Sequence, residues 1–114
     1  MSLAMIEVEC YISIKKDGVS FLDPVKTGLL NEIIKSGSLS GAAKRMKISY
    51  QHAWTMINEM NISAPEPMVI KQRGGTHGGG AATTVYGEKI IREYQMIQAQ
   101  VKKIVDQINV EINL

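Results

Sequence analysis

The stretch RGGTHGGGAATT, from Arg73 to Thr84, holds five of the ten glycines of this chain. Glycine lets backbone N–H groups approach a phosphate closely, so the stretch is a candidate phosphate-binding loop. A Walker-type loop does not fit, because Gly80-Ala81 stand where Lys-Ser or Lys-Thr would have to follow Gly79. A dinucleotide-binding loop does not fit either, because the glycines lie outside any βαβ pattern and lead into a strand-like Ala-Ala-Thr-Thr. The glycines are therefore expected to serve a phosphate other than that of a nucleotide cofactor.

The segment from Gly37 to Asn61 has the pattern of two short helices joined by a tight turn. Ser38 and Ser49 are suitable N-caps, since a hydroxyl accepts a hydrogen bond from the first helical turn. Apolar residues recur at helical spacing after each cap: Leu39, Ala42, Ala43 and Met46 in the first helix, and Ala53, Ile57 and Met60 in the second. The pattern predicts a helix-turn-helix; an αα-corner in an unrelated helical domain is the alternative.

The polar side of the second helix carries amides and hydroxyls of the length that reads base edges in the major groove. Recognition helices use their N-terminal residues for such contacts. The residues of this helix predicted to touch DNA are Ser49, Tyr50, Gln51, His52, Thr55 and Asn58. Trp54 borders the apolar face and is predicted to be a core aromatic.

Short strands are predicted at Met68–Lys71 and Ala81–Thr84, on either side of the glycine-rich loop. A loop between two strands directly after a helix-turn-helix is typical of a wing that lies along the DNA backbone. The alternative is a hairpin tip without a role. The predicted backbone contacts of the wing and its surroundings are Lys44, Arg45, Lys47, Lys71, Arg73, Thr76 and His77. Each basic residue taken alone also fits an ordinary solvated side chain, and only their clustering favours phosphate.

Other elements are predicted before the helix-turn-helix. Apolar and polar residues alternate from Met5 to Lys15, which indicates a half-buried strand. Lys16-Asp17-Gly18 favours a tight turn into a short return strand, giving a β-hairpin over residues 5–22. Asp23-Pro24 then opens a helix that Gly37 ends, and the three-helix core is expected to span residues 24–61.

A single long helix is predicted over residues 85–112. Its apolar residues follow one another at alternating steps of four and three, which is a heptad seam. This seam predicts a homodimer through Ile90, Tyr94, Ile97, Val101, Ile104 and Ile108.

Length and composition limit the possible classes of fold and function. The 114 residues suffice for one domain, expected to be α+β, mostly α: a winged helix-turn-helix with an N-terminal hairpin and a long C-terminal helix. The net charge of +2 permits nucleic acid without demanding it. The apolar runs are too short for a membrane span, and the single Cys10 fits a reducing, cytoplasmic compartment. Neither metal-ligand spacing nor an activated nucleophile is visible, so we expect a non-enzyme without cofactor, metal or small-molecule ligand.

Residues 36–61 (SGSLSGAAKRMKISYQHAWTMINEMN) and 69–91 (VIKQRGGTHGGGAATTVYGEKII) together resemble the DNA-binding domain of the molybdate-responsive ModE regulators. The resemblance extends over roughly residues 24–110. It implies a winged helix distantly similar to that of LysR-type regulators, with the recognition helix at residues 49–61, the wing at residues 73–82 and a dimer through the long helix. It also implies a role in molybdenum metabolism.

The chain departs from the family in two respects. Thr76-His77 stand where family members usually carry a lysine between the glycine runs, which removes one phosphate contact or makes it depend on pH. The β-rich molybdate-binding domains of the full regulators do not fit within 114 residues, so the chain is either a free-standing DNA-binding member or a fragment.

Two functional hypotheses follow. The first is a sequence-specific dimeric regulator that binds double-stranded DNA. The second is a winged-helix module for protein interaction or oligomerisation without DNA readout.

Overall fold

The computed structural model of the chain describes residues 5–72 and 80–114. The described part is mostly helical, with two small antiparallel sheets, as predicted. The elements follow in the order β1 (Ile14–Lys16), β2 (Val19–Leu22), α1 (Pro24–Ser36), α2 (Leu39–Met46), α3 (Tyr50–Ser63), β3 (Val69–Gln72), β4 (Gly80–Thr83) and α4 (Val85–Glu111).

The N-terminal hairpin is much shorter than predicted. Asp17 and Gly18 have positive φ angles of 52° and 79° and form the expected tight turn. The predicted strand from Met5, however, begins only at Ile14, which pairs with Leu22 at the end of β2. The chain turns into α1 immediately after Leu22. Residues 5–13 therefore extend past the end of β2 and have no strand of the described chain beside them with which to form sheet hydrogen bonds.

Local capping defines α1, α2 and α3. Asp23 accepts a 2.8 Å hydrogen bond from the Lys26 backbone N–H, and Gly37 ends α1 with a left-handed φ of 71°. The Ser38 hydroxyl accepts from the Gly41 N–H at 2.9 Å and begins α2. The Ser49 hydroxyl accepts from the His52 N–H at 3.0 Å and begins α3. These caps occur where the sequence predicts them, although α3 continues to Ser63 rather than Asn61.

Strands β3 and β4 form the base of the wing, with Lys71 opposite Ala81. Strand β3 lies one residue later than predicted and β4 one residue earlier. Strand β4 ends before Thr84 because Thr84 leaves the sheet to cap α4 by accepting from the Gly87 N–H at 2.9 Å. The Ala81 N–H donates to the Gly37 carbonyl at 3.2 Å, which joins the wing to the turn between α1 and α2.

One core joins these elements. Its buried members come from β2, all four helices and the wing strands with Met68: Leu22, Leu29, Leu30, Ile33, Leu39, Ala42, Ala43, Ala53, Met56, Ile57, Met60, Met68, Val69, Ala81, Ile91 and Tyr94. Helix α4 contributes only near its start, where Gly87, Ile91 and Tyr94 are buried. Its remaining turns extend away from the core, since 27 residues span about 40 Å.

Candidate nucleic-acid interface

Helix α3 presents a free polar face. Gln51, His52, Thr55 and Asn58 are exposed, whereas Ala53 and other residues of the opposite face are buried in the core. The core therefore uses one side of the helix and leaves the predicted recognition side accessible. Ser49 and Tyr50 are also exposed, at the N-terminal end of the same helix.

Two hydroxyls on this face already hold hydrogen bonds within the chain. The Ser49 hydroxyl caps α3, and the Thr55 hydroxyl donates to the Gln51 carbonyl at 3.0 Å. Thr55 therefore presents its methyl group and oxygen lone pairs rather than a donor. Gln51 and Asn58 retain free amide groups, because their side chains have no hydrogen bond within the described part of the chain.

The basic residues beside the helix-turn-helix are not equivalent. Lys44 and Lys47 are exposed, and neither forms a salt bridge with the described residues. Arg45, predicted as a phosphate contact, places its Nε 2.7 Å from a carboxylate oxygen of Glu32 on α1. This carboxylate offsets the charge of Arg45, so the two lysines carry most of the free positive charge here.

A contact between β3 and α3 was not predicted. The Nζ atom of Lys71 lies 3.9 Å from the ring centroid of Trp54. Trp54 also packs, half-buried, against the core, as the sequence indicates. A cation over an aromatic face is stabilised by the ring quadrupole. Lys71 therefore joins the base of the wing to α3, a pairing that no local spacing could reveal.

Asn61 makes a second connection between α3 and the wing that sequence reasoning missed. Its side-chain oxygen accepts from the Met68 N–H at 2.7 Å and the Val69 N–H at 3.2 Å. Its amide nitrogen donates to the Val69 carbonyl at 3.0 Å. These three bonds position the first strand of the wing at the end of α3. The only sequence signal was the position of Asn61 at the end of the INEMN segment.

The predicted wing contacts Arg73, Thr76 and His77 lie outside the described residues. Strands β3 and β4 flank this segment in the sequence, and Gln72 at the end of β3 pairs with Gly80 at the start of β4.

The predicted dimer seam of α4 needs a correction at its start. Tyr94 is only 1% exposed and packs inside the chain's own core, so it cannot line a surface. Ile90 is half-buried against the same core. Ile97, Ile104 and Ile108 are exposed and Val101 is half-buried; these four residues, on one side of the helix, are called the α4 stripe below.

Other kinds of site find no support in the described residues. No group of three or more histidine, cysteine or acidic side chains could hold a metal ion among residues 5–72 and 80–114. Over these same residues, no helix combines the length and apolar character needed to cross a membrane.

No family model matches the chain. It is 37% identical over 94 residues to the transcriptional regulator ModE of Haemophilus influenzae, covering 82% of this chain and 37% of that protein. It is 39% identical over 98 residues to the DNA-binding transcriptional dual regulator ModE of Escherichia coli, covering 86% of this chain and 37% of the relative.

The chain is a homologue of the ModE transcriptional regulators. It spans little more than a third of the length of these curated relatives, and the match lies in their N-terminal region. A further relative, named as the molybdenum-pterin-binding protein MopB of Rhodobacter capsulatus, is 38% identical over 78% of this chain and a third of its own length.

Solved structures show the same fold. A LysR family transcriptional regulator superimposes with a TM-score of 0.55 at 17% identity, over 74% of this chain and 27% of the other. Streptococcus pneumoniae FabT, solved in complex with DNA, also gives a TM-score of 0.55, at 18% identity over 75% of this chain and 61% of the other. The described elements thus share the winged-helix fold of these proteins.

Proposed function

We propose that the chain binds double-stranded DNA as a sequence-specific transcriptional regulator connected with molybdenum metabolism. The observation that carries the proposal is the free polar face of α3, which the core leaves exposed beside the base of the wing. The ModE relatives, named as transcriptional regulators, support the regulatory role. Relatives named for molybdenum transport and molybdenum-pterin binding support the metabolic connection.

In this proposal, the exposed polar face of α3, from its N-terminus to Asn58, enters the major groove. The amides of Gln51 and Asn58 suit bidentate contact with adenine, and the methyl group of Thr55 suits the methyl group of thymine. Ser49, Tyr50 and His52, at the N-terminus of α3, are assigned to phosphates or base edges, because a helix N-terminus favours anions. Sequence is thus read by three side chains of one face.

The phosphate contacts flank this face on two sides. Lys44 and Lys47 lie at the end of α2, and Lys71 lies at the base of the wing. Lys71 is held above Trp54, so its charge is presented from a defined position. Arg45 is assigned a weaker contribution because of Glu32. Arg73, Thr76 and His77 are proposed to continue these contacts along the wing.

A homodimer through the α4 stripe completes the proposal. The stripe is apolar and continues past the core for several turns, as expected of a helix that pairs with another helix. A two-fold dimer would present two copies of α3 to a pseudo-palindromic site. The chain would then form one domain, with its core over residues 24–63, its wing over residues 69–83 and its dimer helix over residues 85–111. As a regulator of bacterial genes it would act in the cytoplasm.

Salt dependence tests whether phosphates carry the affinity. Binding to a DNA duplex selected from a random-sequence pool should weaken linearly on a log–log plot against salt concentration, because each neutralised phosphate releases counterions. Lys44→Gln should make the slope of log affinity against log salt concentration less steep by about 1, and should weaken binding about equally for all DNA sequences. The matched control is Lys103→Gln, on an exposed face of α4, which should leave the slope unchanged. A response independent of salt would favour the module without DNA readout.

Alanine substitutions test which residues read bases. Gln51→Ala and Asn58→Ala should each cost about 1–3 kcal/mol, with the loss confined to particular base pairs of the selected site. Asn113→Ala, at an exposed position beyond α4, is the control and should bind like the wild type. Competition with single-base variants of the site measures the effect. A loss spread evenly over all sequences would show that these amides contact the backbone instead.

A further inference from the structure

Residues 7–12, here called the N-terminal strap, lie along α4 instead of forming a strand. At Val8, the backbone N–H donates to Oδ1 of Asn109 at 2.7 Å, and the Nδ2 of Asn109 donates to the Val8 carbonyl at 3.1 Å. Both groups are partly buried, and they are 101 residues apart in the sequence. One side-chain amide thus satisfies both backbone groups of one strap residue.

A second contact lies at the other end of the strap. The Tyr94 hydroxyl donates to the Ile12 carbonyl at 2.8 Å. A tyrosine hydroxyl is protonated at neutral pH, and burial raises the pKa of Tyr94 further, so the hydroxyl can donate this bond throughout the neutral range. Tyr94 is buried in the core, and Asn109 lies about 22 Å further along α4. The strap therefore connects the outer part of α4 with the core.

The strap covers one side of the outer part of α4. Between Gln95 and Glu111 the helix has no buried residue, and its half-buried positions are Val101, Val105 and Asn109. These three residues line the groove between α4 and the strap. Of the α4 stripe, only Val101 lines that groove, whereas Ile97, Ile104 and Ile108 do not. The strap and a second copy of α4 can therefore contact the helix side by side, with Val101 at the border between them.

We infer that the N-terminal strap holds α4 at a fixed angle to the core and thereby sets the spacing of the two DNA half-sites. The inference rests on the proposed dimeric DNA binding. In such a dimer the angle of each α4 determines the distance between the two recognition helices. A rotation of 10° over 22 Å displaces a helix end by about 4 Å, close to the rise of one base pair. Asn109 is thus a positioning residue for half-site spacing.

Selection from a random-sequence duplex pool tests the inference. The wild type should enrich one half-site sequence in pairs with one spacing. Asn109→Leu removes both hydrogen bonds to Val8 at similar side-chain volume, and should enrich the same half-site at two or more spacings. Tyr94→Phe, which removes the other contact, should broaden the spacing in the same way. Asn113→Leu, at an exposed position whose side chain forms no hydrogen bond with residues 5–72 or 80–114, should keep the single spacing.

The outcomes separate the two proposals. If the wild type enriches no sequence, the proposed DNA readout is wrong. If Asn109→Leu retains the single spacing, or loses the half-site sequence itself, the strap does not set the spacing. Sedimentation should show the same monomer–dimer equilibrium in the wild type and in Asn109→Leu, within about twofold, because Asn109 lies outside the α4 stripe and three of the four stripe residues lie outside the groove. A large change in this equilibrium would also overturn the inference.

A measurement without DNA tests the strap directly. Spin labels at Lys35→Cys on α1 and Lys103→Cys on α4, in a Cys10→Ser background, report the angle of α4 to the core. Dilution with unlabelled chain restricts the signal to distances within one copy. The distance distribution should be narrow with Asn109 present and at least twice as wide in Asn109→Leu. An equally narrow distribution in both would overturn the inference, whatever the DNA selection shows.

Discussion

Ile104→Asp is expected to convert the proposed dimer into monomers. Ile104 is 61% exposed within one copy and lies in the middle of the α4 stripe. In a paired helix its burial would contribute about 1.5–3 kcal/mol. Aspartate would instead place an unpaired carboxylate from each copy in the seam. We expect the dimer to weaken at least about 100-fold, which corresponds to about 2.8 kcal/mol.

DNA binding should weaken with the dimer. A monomer binds one half-site and loses the effective concentration that a linked second site provides, which is worth about 10²–10⁴-fold in affinity. Sedimentation measures the assembly, and titration of the selected duplex measures the affinity.

The matched control for the dimer is Val110→Asp. Val110 is 85% exposed and lies on a different side of α4 from the stripe, so the same kind of change should leave the dimer intact. If the wild type is already monomeric at about 10 μM, the α4 stripe does not form the homodimer expected of a helix with such a seam.

Gly87→Ala is expected to destabilise the fold by about 2–3 kcal/mol, as overpacking against a rigid neighbour does. A Cβ at Gly87 would lie 2.3 Å from the carbonyl oxygen of Met68. That oxygen cannot move away freely, because it accepts the Thr84 N–H at 3.0 Å. The position is therefore a close approach of α4 to the segment that leads into the wing. Thermal unfolding should show a melting temperature lower by roughly 10 °C.

Gly28→Ala separates this steric effect from helix propensity. Gly28 lies inside α1, and an added Cβ would meet only the Met46 methyl group at 3.7 Å, an ordinary contact. Alanine should therefore leave the free energy of unfolding unchanged or raise it by up to about 1 kcal/mol. If Gly87→Ala behaves like Gly28→Ala, α4 does not approach Met68 as closely as described.

Local signals in the sequence determined where the first three helices begin. Asp23, Ser38 and Ser49 each accept a hydrogen bond from a backbone N–H three residues later. Gly37 ends α1 with a left-handed φ angle. Such interactions need only neighbouring residues, so a single sequence suffices to predict them. The polar face of α3 was predictable for a similar reason, because helical spacing places buried and exposed residues on opposite sides.

The tertiary structure decided which surfaces meet. Heptad spacing marked Tyr94 as a dimer residue, but the core of the same chain covers it. Alternation predicted a strand from Met5, yet β2 ends at Leu22 and residues 5–13 turn to α4 instead. Both signals correctly identified apolar faces without specifying a partner.

The same limit applies to the contacts that position the candidate interface. Lys71 meets Trp54 and Val8 meets Asn109 across long stretches of chain, so no spacing of residue types could reveal either pair. The sequence by itself determined the N-caps of the first three helices, the turn at Asp17-Gly18 and the polar face of α3, because these depend on groups a few residues apart. Only the folded chain decided how α4 meets the core, the strap and the wing, because burial depends on which distant surfaces pack together.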